Sequence, residues 1–296
     1  MEKKKLLIID GNNLLHRAYH KFKKLKSKSG TKSSMAFGFP HILKSLIHQQ
    51  KPTDVLVVFD GGRHKERLKV LPGYKDRDKN RKDFDIDDFV SQQKDVKEIL
   101  TCLGIPYVSK KGLEADDIIW LYARKYKRKG SVVIVSTDKD FNQLLSNRVS
   151  IWHPWKNKRI THKNLEKEYG YTPDQCVDYL SLVGDDSDKI PGAKGIGHKT
   201  AIKFIEEYGS INAYRLGKGD EMKKFTRKQS EELFYRNRTL IDIRFFCRRY
   251  LKLKEIPLKS PKGKNINKKG LSLICRKYSI TTFIEPAFLK PFKQLL

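Results

Sequence analysis

Apolar and polar residues follow two rhythms along this chain: short unbroken apolar runs, and longer stretches with a helical repeat. Leu6 to Ile9 is a continuous apolar run ending in Asp10-Gly11-Asn12-Asn13, the form of a buried parallel strand that runs into a turn. Asp54 to Phe59 ends the same way, with Asp60 and then Gly61-Gly62 allowing a sharp exit. Gly104 to Val108 reads as a third short strand, and Ser131 to Ser136 as a fourth that ends in Thr137-Asp138-Lys139-Asp140. Helical periodicity fills the gaps over Phe37–Gln49, Phe84–Leu103 and Phe141–Leu145. It is strongest where Ala115, Ile118, Ile119, Tyr122, Ala123 and Tyr126 line one face. Strands alternating with helices predict an α/β fold with a mostly parallel central sheet flanked by helices, which binds ligands outside the carboxyl ends of its strands.

Beyond the fourth strand, residues 150–165, with Trp152 and Trp155, read as a β-hairpin or loop with no functional signal of its own. Asp174 to Val183 is helical and leads through Gly184-Asp185-Asp186-Ser187-Asp188 to the glycine-rich stretch Gly192 to Ala201 and a helix over Ile202–Tyr208. Gly195 and Gly197 ahead of a helix expose backbone N–H groups as a phosphate site, with Lys194, Lys199 and Lys203 adding charge. A dinucleotide loop would follow a strand, whereas this one follows a helix and acids. A plain helix-turn-helix connector is the simpler alternative. Ser230–Ile243 is a further helix, and from about Leu253 the chain is Lys-rich before two short helical patterns.

Four of these elements deliver acids to one edge of the sheet: Asp10, Asp60, the trio Glu114, Asp116 and Asp117, and the pair Asp138 and Asp140. A single aspartate in a turn means little, and a solvated acidic helix start is the commonest use of a cluster like 114–117. A helix N-terminus favours each carboxylate by only about 0.3–1 kcal/mol, too little to hold three together in a partly buried place. A bound divalent cation resolves the repulsion, and four elements converging make that the stronger reading.

The charge balance adds a partner class. Lys and Arg number 63 against 34 Asp and Glu, a net charge of +29, which points to a polyanion such as nucleic acid. Residues 3–51 carry twelve of the cations against Asp10 alone, so the positive charge sits towards the chain ends and the acids in the middle. Nine more cations fall between Arg63 and Lys82, a basic segment emerging beside the acidic edge. Cys102, Cys176, Cys247 and Cys275 are scattered with no Cys-x-x-Cys, which excludes a disulfide scaffold and a structural zinc site. No apolar run reaches 18 residues, so a soluble, intracellular protein with no membrane partner is expected.

The motifs together resemble the 5′-nucleases, meaning flap endonucleases and the 5′-exonuclease domains of bacterial DNA polymerases. The matching pieces are Ile-Ile-Asp10-Gly, Val-Phe-Asp60, Leu-Pro-Gly-Tyr74-Lys75, Gly-Leu-Glu114-Ala-Asp116-Asp117, Ser-Thr-Asp138-Lys-Asp140 and Gly-Asp185-Asp-Ser-Asp188-Lys-Ile-Pro-Gly-x-x-Gly-Ile-Gly, in the family's order over residues 6–208. The later Ser-Glu-Glu-Leu-Phe-Tyr-Arg-Asn run, the length and the lack of a polymerase domain look most like the free-standing exonucleases of T-five-like bacteriophages.

The resemblance implies a PIN-like nuclease core over 1–180 with a helical arch at 63–103. It further implies a helix-hairpin-helix DNA-binding subdomain over 181–250 and a basic segment, 251–296, packed on the core. It implies 5′-3′ exonuclease and 5′-flap endonuclease activity on DNA with 5′ flaps, 5′ overhangs or nicks, extending to RNA/DNA hybrids, by a monomer in phage replication, repair or recombination. Asp10, Asp60, Glu114, Asp116, Asp117, Asp138, Asp140, Asp185 and Asp188 would hold or orient two Mg²⁺ ions, or Mn²⁺ in their place. Oxygen donors alone suit such hard cations. Lys75 would act on the scissile phosphate together with the ligands Asp10, Asp60, Asp116 and Asp138. Tyr74 would be a base-stacking platform in the arch. The arch arginine usual three residues after the lysine is replaced by Asp78, which leaves Arg77 or Arg81 for its role. Lys194, Gly195, Gly197, Lys199, Thr200 and Lys203 would grip duplex, with K⁺ on the carbonyls of Leu182, Val183, Pro191, Ala193 and Ile196. Two alternatives differ in kind. A PIN-class RNase would lack the Gly-Ile-Gly hairpin, and a non-catalytic DNA binder has no use for clustered acids that repel phosphate.

Overall fold

The computed structural model describes residues 4–76, 85–253, 256, 258 and 260–295. Its central strand, β1 (Lys5–Asp10), has no polar face to turn to water. Leu6 and Ile8 enter one apolar cluster, Leu7 and Ile9 another on the opposite face, and all four are fully buried. Parallel strands flank it on both sides: β2 (Asp54–Val58) sets Leu56 opposite Ile8, and β4 (Ser131–Val135) sets Ile134 there. Outside β2 lies β3 (Tyr107–Val108), shorter than the sequence suggests, and outside β4 lies β5 (Val149–His153). The strand β6 (Lys158–Ile160) returns antiparallel to β5, so residues 150–165 do contain a hairpin. The order β3-β2-β1-β4-β5-β6 runs outward from β1 in both directions. Such a reversal opens a crevice at the carboxyl ends of the central strands.

Helices cover both faces. On the side of Leu7 and Ile9 lie α1 (Gly11–Lys21), α2 (Ser34–Gln50) and α4 (Ile86–Cys102). Two helices from the far end of the chain, α12 (Lys268–Tyr278) and α13 (Pro286–Lys293), pack over α4 and α2. The other face carries α3 (Lys65–Val70) and α5 (Ala115–Tyr126), followed by α6 (Leu165–Tyr169) and α7 (Cys176–Val183). A two-stranded hairpin, β7 (Gly184–Asp185) and β8 (Ile190–Pro191), then leads into α8 (His198–Tyr208), α9 (Ile211–Arg215), α10 (Arg227–Ile241) and α11 (Ile243–Tyr250). The segment 63–103, expected as an arch, contains α3 and α4. Arg77 and Arg81, the two arginines expected to serve it, lie outside the described residues.

Local chemistry sets where these helices begin and end. Asp10 caps α1 by accepting from the Asn13 N–H at 3.1 Å, so the turn expected after β1 is the first turn of a helix instead. The expected helix Ser230–Ile243 is two, divided at Asp242, whose Oδ1 accepts from the Phe245 N–H at 2.9 Å and starts α11. Phe141–Leu145 lies largely within a 3₁₀ turn, Lys139–Leu144, capped by Asp138. No helix among the described residues is long and apolar enough to cross a membrane.

After β2 the chain is zipped to the stretch before α5: the Gly61 N–H donates to the Leu113 carbonyl at 2.9 Å, and the Gly112 N–H to that of Gly61 at 2.8 Å. A Cβ at Gly61 would lie 1.7 Å from the Lys110 carbonyl oxygen, so only glycine lets these strands of chain approach. This contact carries Asp60 to the start of α5. Gly61→Ala should therefore cost about 1–3 kcal/mol of stability in a urea titration. Gly73→Ala, with nothing within 4 Å of its added Cβ, should stay within about 0.5 kcal/mol of wild type. Equal effects of the two would show that the close approach is not limiting.

Candidate active site

Asp10 stands at the carboxyl end of β1, nearly buried, and its Oδ2 accepts from the Ser136 hydroxyl at 2.8 Å. Burial pushes its pKa up to about 7, with the charges of Asp60 and Asp138 adding to the rise. Asp60 follows β2, and its Oδ1 accepts from the Ala115 N–H at 2.8 Å, which ties that strand end to the first turn of α5. Asp116 lies in that turn. Burial raises its pKa well above the ordinary carboxylate range despite the nearby Lys75. Asp138 follows β4 and accepts from the Asp140 N–H at 2.9 Å, and burial raises its pKa as well. From the β7–β8 hairpin come Asp185, whose Oδ1 accepts from the Ser187 N–H at 2.8 Å, and Asp188, raised to about 6 chiefly by burial.

These six carboxylates line one cavity of about 610 Å³ at the strand ends. Lys75 stands among them, its Nζ 2.8 Å from Glu114 Oε2, 3.4 Å from Asp188 Oδ2 and 3.6 Å from Asp116 Oδ2. Burial disfavours its charge, but Asp116 and the other acids more than reverse this and raise its pKa well above the usual lysine value. Its φ of 51° is left-handed, a conformation that costs a residue with a Cβ on the order of 1 kcal/mol, and its N–H donates to the Asp188 carbonyl at 2.9 Å.

The other three predicted acids lie behind this cavity rather than on its wall. Asp140 is buried, and burial raises its pKa strongly, followed by the charge of Asp138. Asp117, fully buried, binds the guanidinium of Arg67 through both oxygens, at 2.9 and 3.0 Å. Glu114 lies 2.9 Å from Arg67 Nη1, accepts from the Tyr74 hydroxyl at 2.9 Å and pairs with Lys75. Burial opposes its charge, yet Lys75 and Arg67 draw its pKa down to about 2. In this geometry Glu114 and Asp117 position cations of the protein and are not open ligands. Tyr74, expected as an exposed stacking platform, is 2% exposed, so no base can reach its ring.

Arg67 is the residue that sequence reasoning missed. It sits in a run of cations that reads as a surface loop, whereas it is 2% exposed, with its guanidinium 3.7 Å from the centre of the Phe246 ring. His16, Tyr179 and His198 also line the cavity unforeseen. The unrecognised helix α1 hides His16, and no spacing marks the others.

The glycine-rich hairpin is built as an exposed helix N-terminus. Ile196 anchors it in the core, while Lys194, Lys199 and Lys203 are exposed and Thr200 is half-buried. Gly195 has a φ of 79° and requires glycine, whereas Gly197 is extended at −93°; a Cβ on either would meet nothing within 4 Å. The backbone of α8 is thus open in front for an anion. Three of the five carbonyls expected to take K⁺ accept hydrogen bonds within the protein. Leu182 O accepts from Ala193 N at 2.8 Å, Ala193 O from Ile196 N at 3.0 Å, and Pro191 O from Arg236 Nη2 at 2.6 Å and Asn237 Nδ2 at 3.3 Å. A guanidinium from α10 thus stands beside the Pro191 carbonyl.

Oxygen donors from five separate elements, among which burial raises the pKa values of Asp10, Asp116, Asp138 and Asp188, fit a hard divalent cation in their chemistry. The side chains as they stand are spread around the wall: among the described residues no three Asp, Glu, His or Cys side chains are gathered as a metal site.

Sheet, acid-lined cavity and adjoining helical domain together define a nuclease of the resolvase-like α/β class. Residues 5–170 match the family described as 5′-3′ exonuclease, N-terminal resolvase-like domain, and residues 171–264 match 5′-3′ exonuclease, C-terminal SAM fold. The chain belongs to the 5′-3′ exonuclease family. It is 35% identical over 231 residues to the 5′-3′ exonuclease of Aquifex aeolicus, covering 78% of each chain. It is 38% identical over 213 residues to the thermostable DNA polymerase I of Thermus aquaticus, of which it spans 25%. A bacteriophage T5 flap endonuclease solved with DNA and metal ions shares the fold, with a TM-score of 0.73 at 22% identity over 93% of this chain and 100% of that one.

Removing the Arg67 side chain charge tests the arrangement behind the cavity. Arg67→Met leaves Glu114 and Asp117 buried without their shared partner and should cost about 3–5 kcal/mol in denaturant unfolding near neutral pH. Adding Glu114→Gln and Asp117→Asn to that variant should recover a large part of the loss. A triple variant no more stable than Arg67→Met would show that lost packing on Phe246, not charge, sets the cost.

Proposed function

We propose that this chain is a structure-specific, divalent-metal-dependent 5′-nuclease that cuts branched or nicked DNA at a 5′ end or 5′ flap. The observation that carries the reading is the convergence of six carboxylates from five separate elements on one cavity that also holds Lys75. Asp10, Asp60, Asp116, Asp138, Asp185 and Asp188 would hold the ions, taken as two Mg²⁺ with Mn²⁺ as a substitute. Bound there, the ions would supply an activated water and neutralise charge on the leaving oxygen. Lys75 places a fixed positive charge at the wall, where negative charge builds on the phosphate during displacement. Its left-handed backbone and the Asp188 carbonyl hold that ammonium in place. The open N-terminus of α8, with Lys194, Lys199 and Lys203, grips a phosphate of the downstream duplex and fixes the distance to the cut. A role in phage DNA replication, repair or recombination fits the same activity.

Replacing one acid tests the reading directly. Asp138→Asn should lower single-turnover cleavage of a 5′-flap substrate in Mg²⁺ by orders of magnitude while flap affinity in Ca²⁺ persists. Near-normal turnover would remove Asp138 from the metal set.

Stability should carry the same signature. Asp10 and Asp188 are raised to about 7 and about 6, and Asp116, Asp138 and Asp140 are also raised. The native state therefore holds more protons than the unfolded chain between about pH 4 and pH 7, and without metal its stability falls as pH rises through that window. Glu114 acts oppositely, but its contribution changes only below its unfolded value of 4.5, as pH falls towards about 2. Mg²⁺ should thus raise the Tm more at about pH 8 than at about pH 5. Equal gains at both would mean that these acids do not take the ion.

A further inference from the structure

Trp155 has no place in the proposed chemistry. It stands at the tip of the β5–β6 hairpin and is 64% exposed. That tip is held rather than loose: the His153 Nδ1 accepts from the Lys156 N–H at 3.2 Å, and Asn157 Oδ1 accepts from Gln49 Nε2 on α2 at 2.9 Å. The indole forms one wall of a second cavity, of about 640 Å³. The facing wall is α1, where Asn13, His16, Arg17 and His20 are spaced i, i+3, i+4 and i+7 and so share one side of the helix, with Lys21 beside them.

Two features say what this groove takes. Asn13, His16, Thr137 and Ser187 line both it and the carboxylate cavity, so the two are continuous. The charge changes sign along that path. Seven carboxylates, Asp186 included, line the first cavity, whereas the second has Arg17 and Lys21 and no acid. Arg17 lines this groove, and its Nη1 has no hydrogen-bond partner among the described residues. Cations and an aromatic face beside a phosphodiesterase cavity match the two parts of a nucleotide, its phosphate and its base.

We propose that α1 and Trp155 form a single-strand subsite next to the cut, in which Arg17 and Lys21 bind a phosphate and Trp155 stacks on an unpaired base. This deepens the nuclease reading and rests on it for the identity of the polymer. An unpaired base is specified because an indole face is available to a base that has left its own stack.

The test pairs a protein change with a substrate change. Wild type and Trp155→Ala are titrated in Ca²⁺ with a labelled 5′-flap DNA and with the same DNA carrying an abasic residue at each unpaired position near the branch. Wild type should lose affinity at one or two adjoining abasic positions. Trp155→Ala should bind the intact flap about tenfold more weakly and no longer distinguish those positions. An unchanged abasic profile in Trp155→Ala overturns the subsite. A profile that responds only to the terminal base pair of the duplex overturns the assignment to an unpaired base. Arg17→Ala, checked for folding by circular dichroism, should make the logarithmic salt dependence shallower by about 0.7, the value for one single-strand phosphate. An unchanged slope removes Arg17 from phosphate binding. Because binding is read without turnover, wild type that shows the Trp155-dependent profile but does not cleave in Mg²⁺ would refute the nuclease reading and leave the subsite standing.

Discussion

A single buried guanidinium holds the geometry of the acidic edge. Arg67 joins three parts of the chain: α3, where it resides, the first turn of α5 through Glu114 and Asp117, and α11 through the ring of Phe246. Burying an arginine costs several kcal/mol, and only well-aligned partners offset that cost. Two carboxylates and an aromatic face meet that requirement here. Burial would lower the pKa of Arg67, and Asp117 and Glu114 more than reverse the effect. The link continues outward, because Glu114 also receives the Tyr74 hydroxyl and the Lys75 ammonium. Whatever sets Arg67 therefore sets where Lys75 stands.

The acids consequently fall into two groups with opposite electrostatics. Glu114 is matched by cations of the protein and is held ionised, its pKa near 2. Asp10, Asp116 and Asp138, nearer the cavity, share burial with too few cations, and their pKa values rise. A fold selected only for stability would pair or remove such groups, and their persistence at one cavity is the kind of local conflict expected where function sets the sequence. Lys75 stands where the two groups meet, paired with Glu114 behind and with Asp116 and Asp188 in front.

How much of this was legible depended on whether the signal was local. Leu6 to Ile9 had to be a doubly covered strand whatever lay elsewhere, and Asp10, Asp60 and Asp138 at strand ends followed from period and turn chemistry alone. Arg67 could not be found that way, because its partners Glu114 and Asp117 lie 47 and 50 positions further along the chain and its neighbours are surface cations. Tyr74 was misplaced for the same reason: a tyrosine in a Pro-Gly turn looks exposed until Glu114 is known to face it. The helix α1 was lost because Gly11-Asn12-Asn13 is turn-like in composition, whereas Asp10 caps a helix there and Gly11 sits against Phe59. Likewise, nothing in residues 182–196 reveals that Arg236, on α10, donates to Pro191.

The helical domain is more than a neighbour of the sheet, because the β7–β8 hairpin contributes to the cavity and to the backbone of Lys75 at once. The Asp188 carbonyl receives the Lys75 N–H while the Asp188 carboxylate faces its ammonium. Asn237, fully buried on α10, donates to the carbonyls of Ser181 and Pro191 on either side of that hairpin, and Arg236 adds a charged hydrogen bond to the second. Gln143, at the end of the 3₁₀ turn that Asp138 caps, donates to Ile241 O and accepts from Ile243 N where α10 gives way to α11. The break at Asp242 thus gives the sheet side of the site a buried polar anchor on the helical domain. With anchors on both sides of the cavity, a shift of α10 would move Asp185 and Asp188 relative to Asp138. If duplex binds at the N-terminus of α8 as proposed, the packing of α10 sets its distance from the carboxylates, and with it the position of the cut.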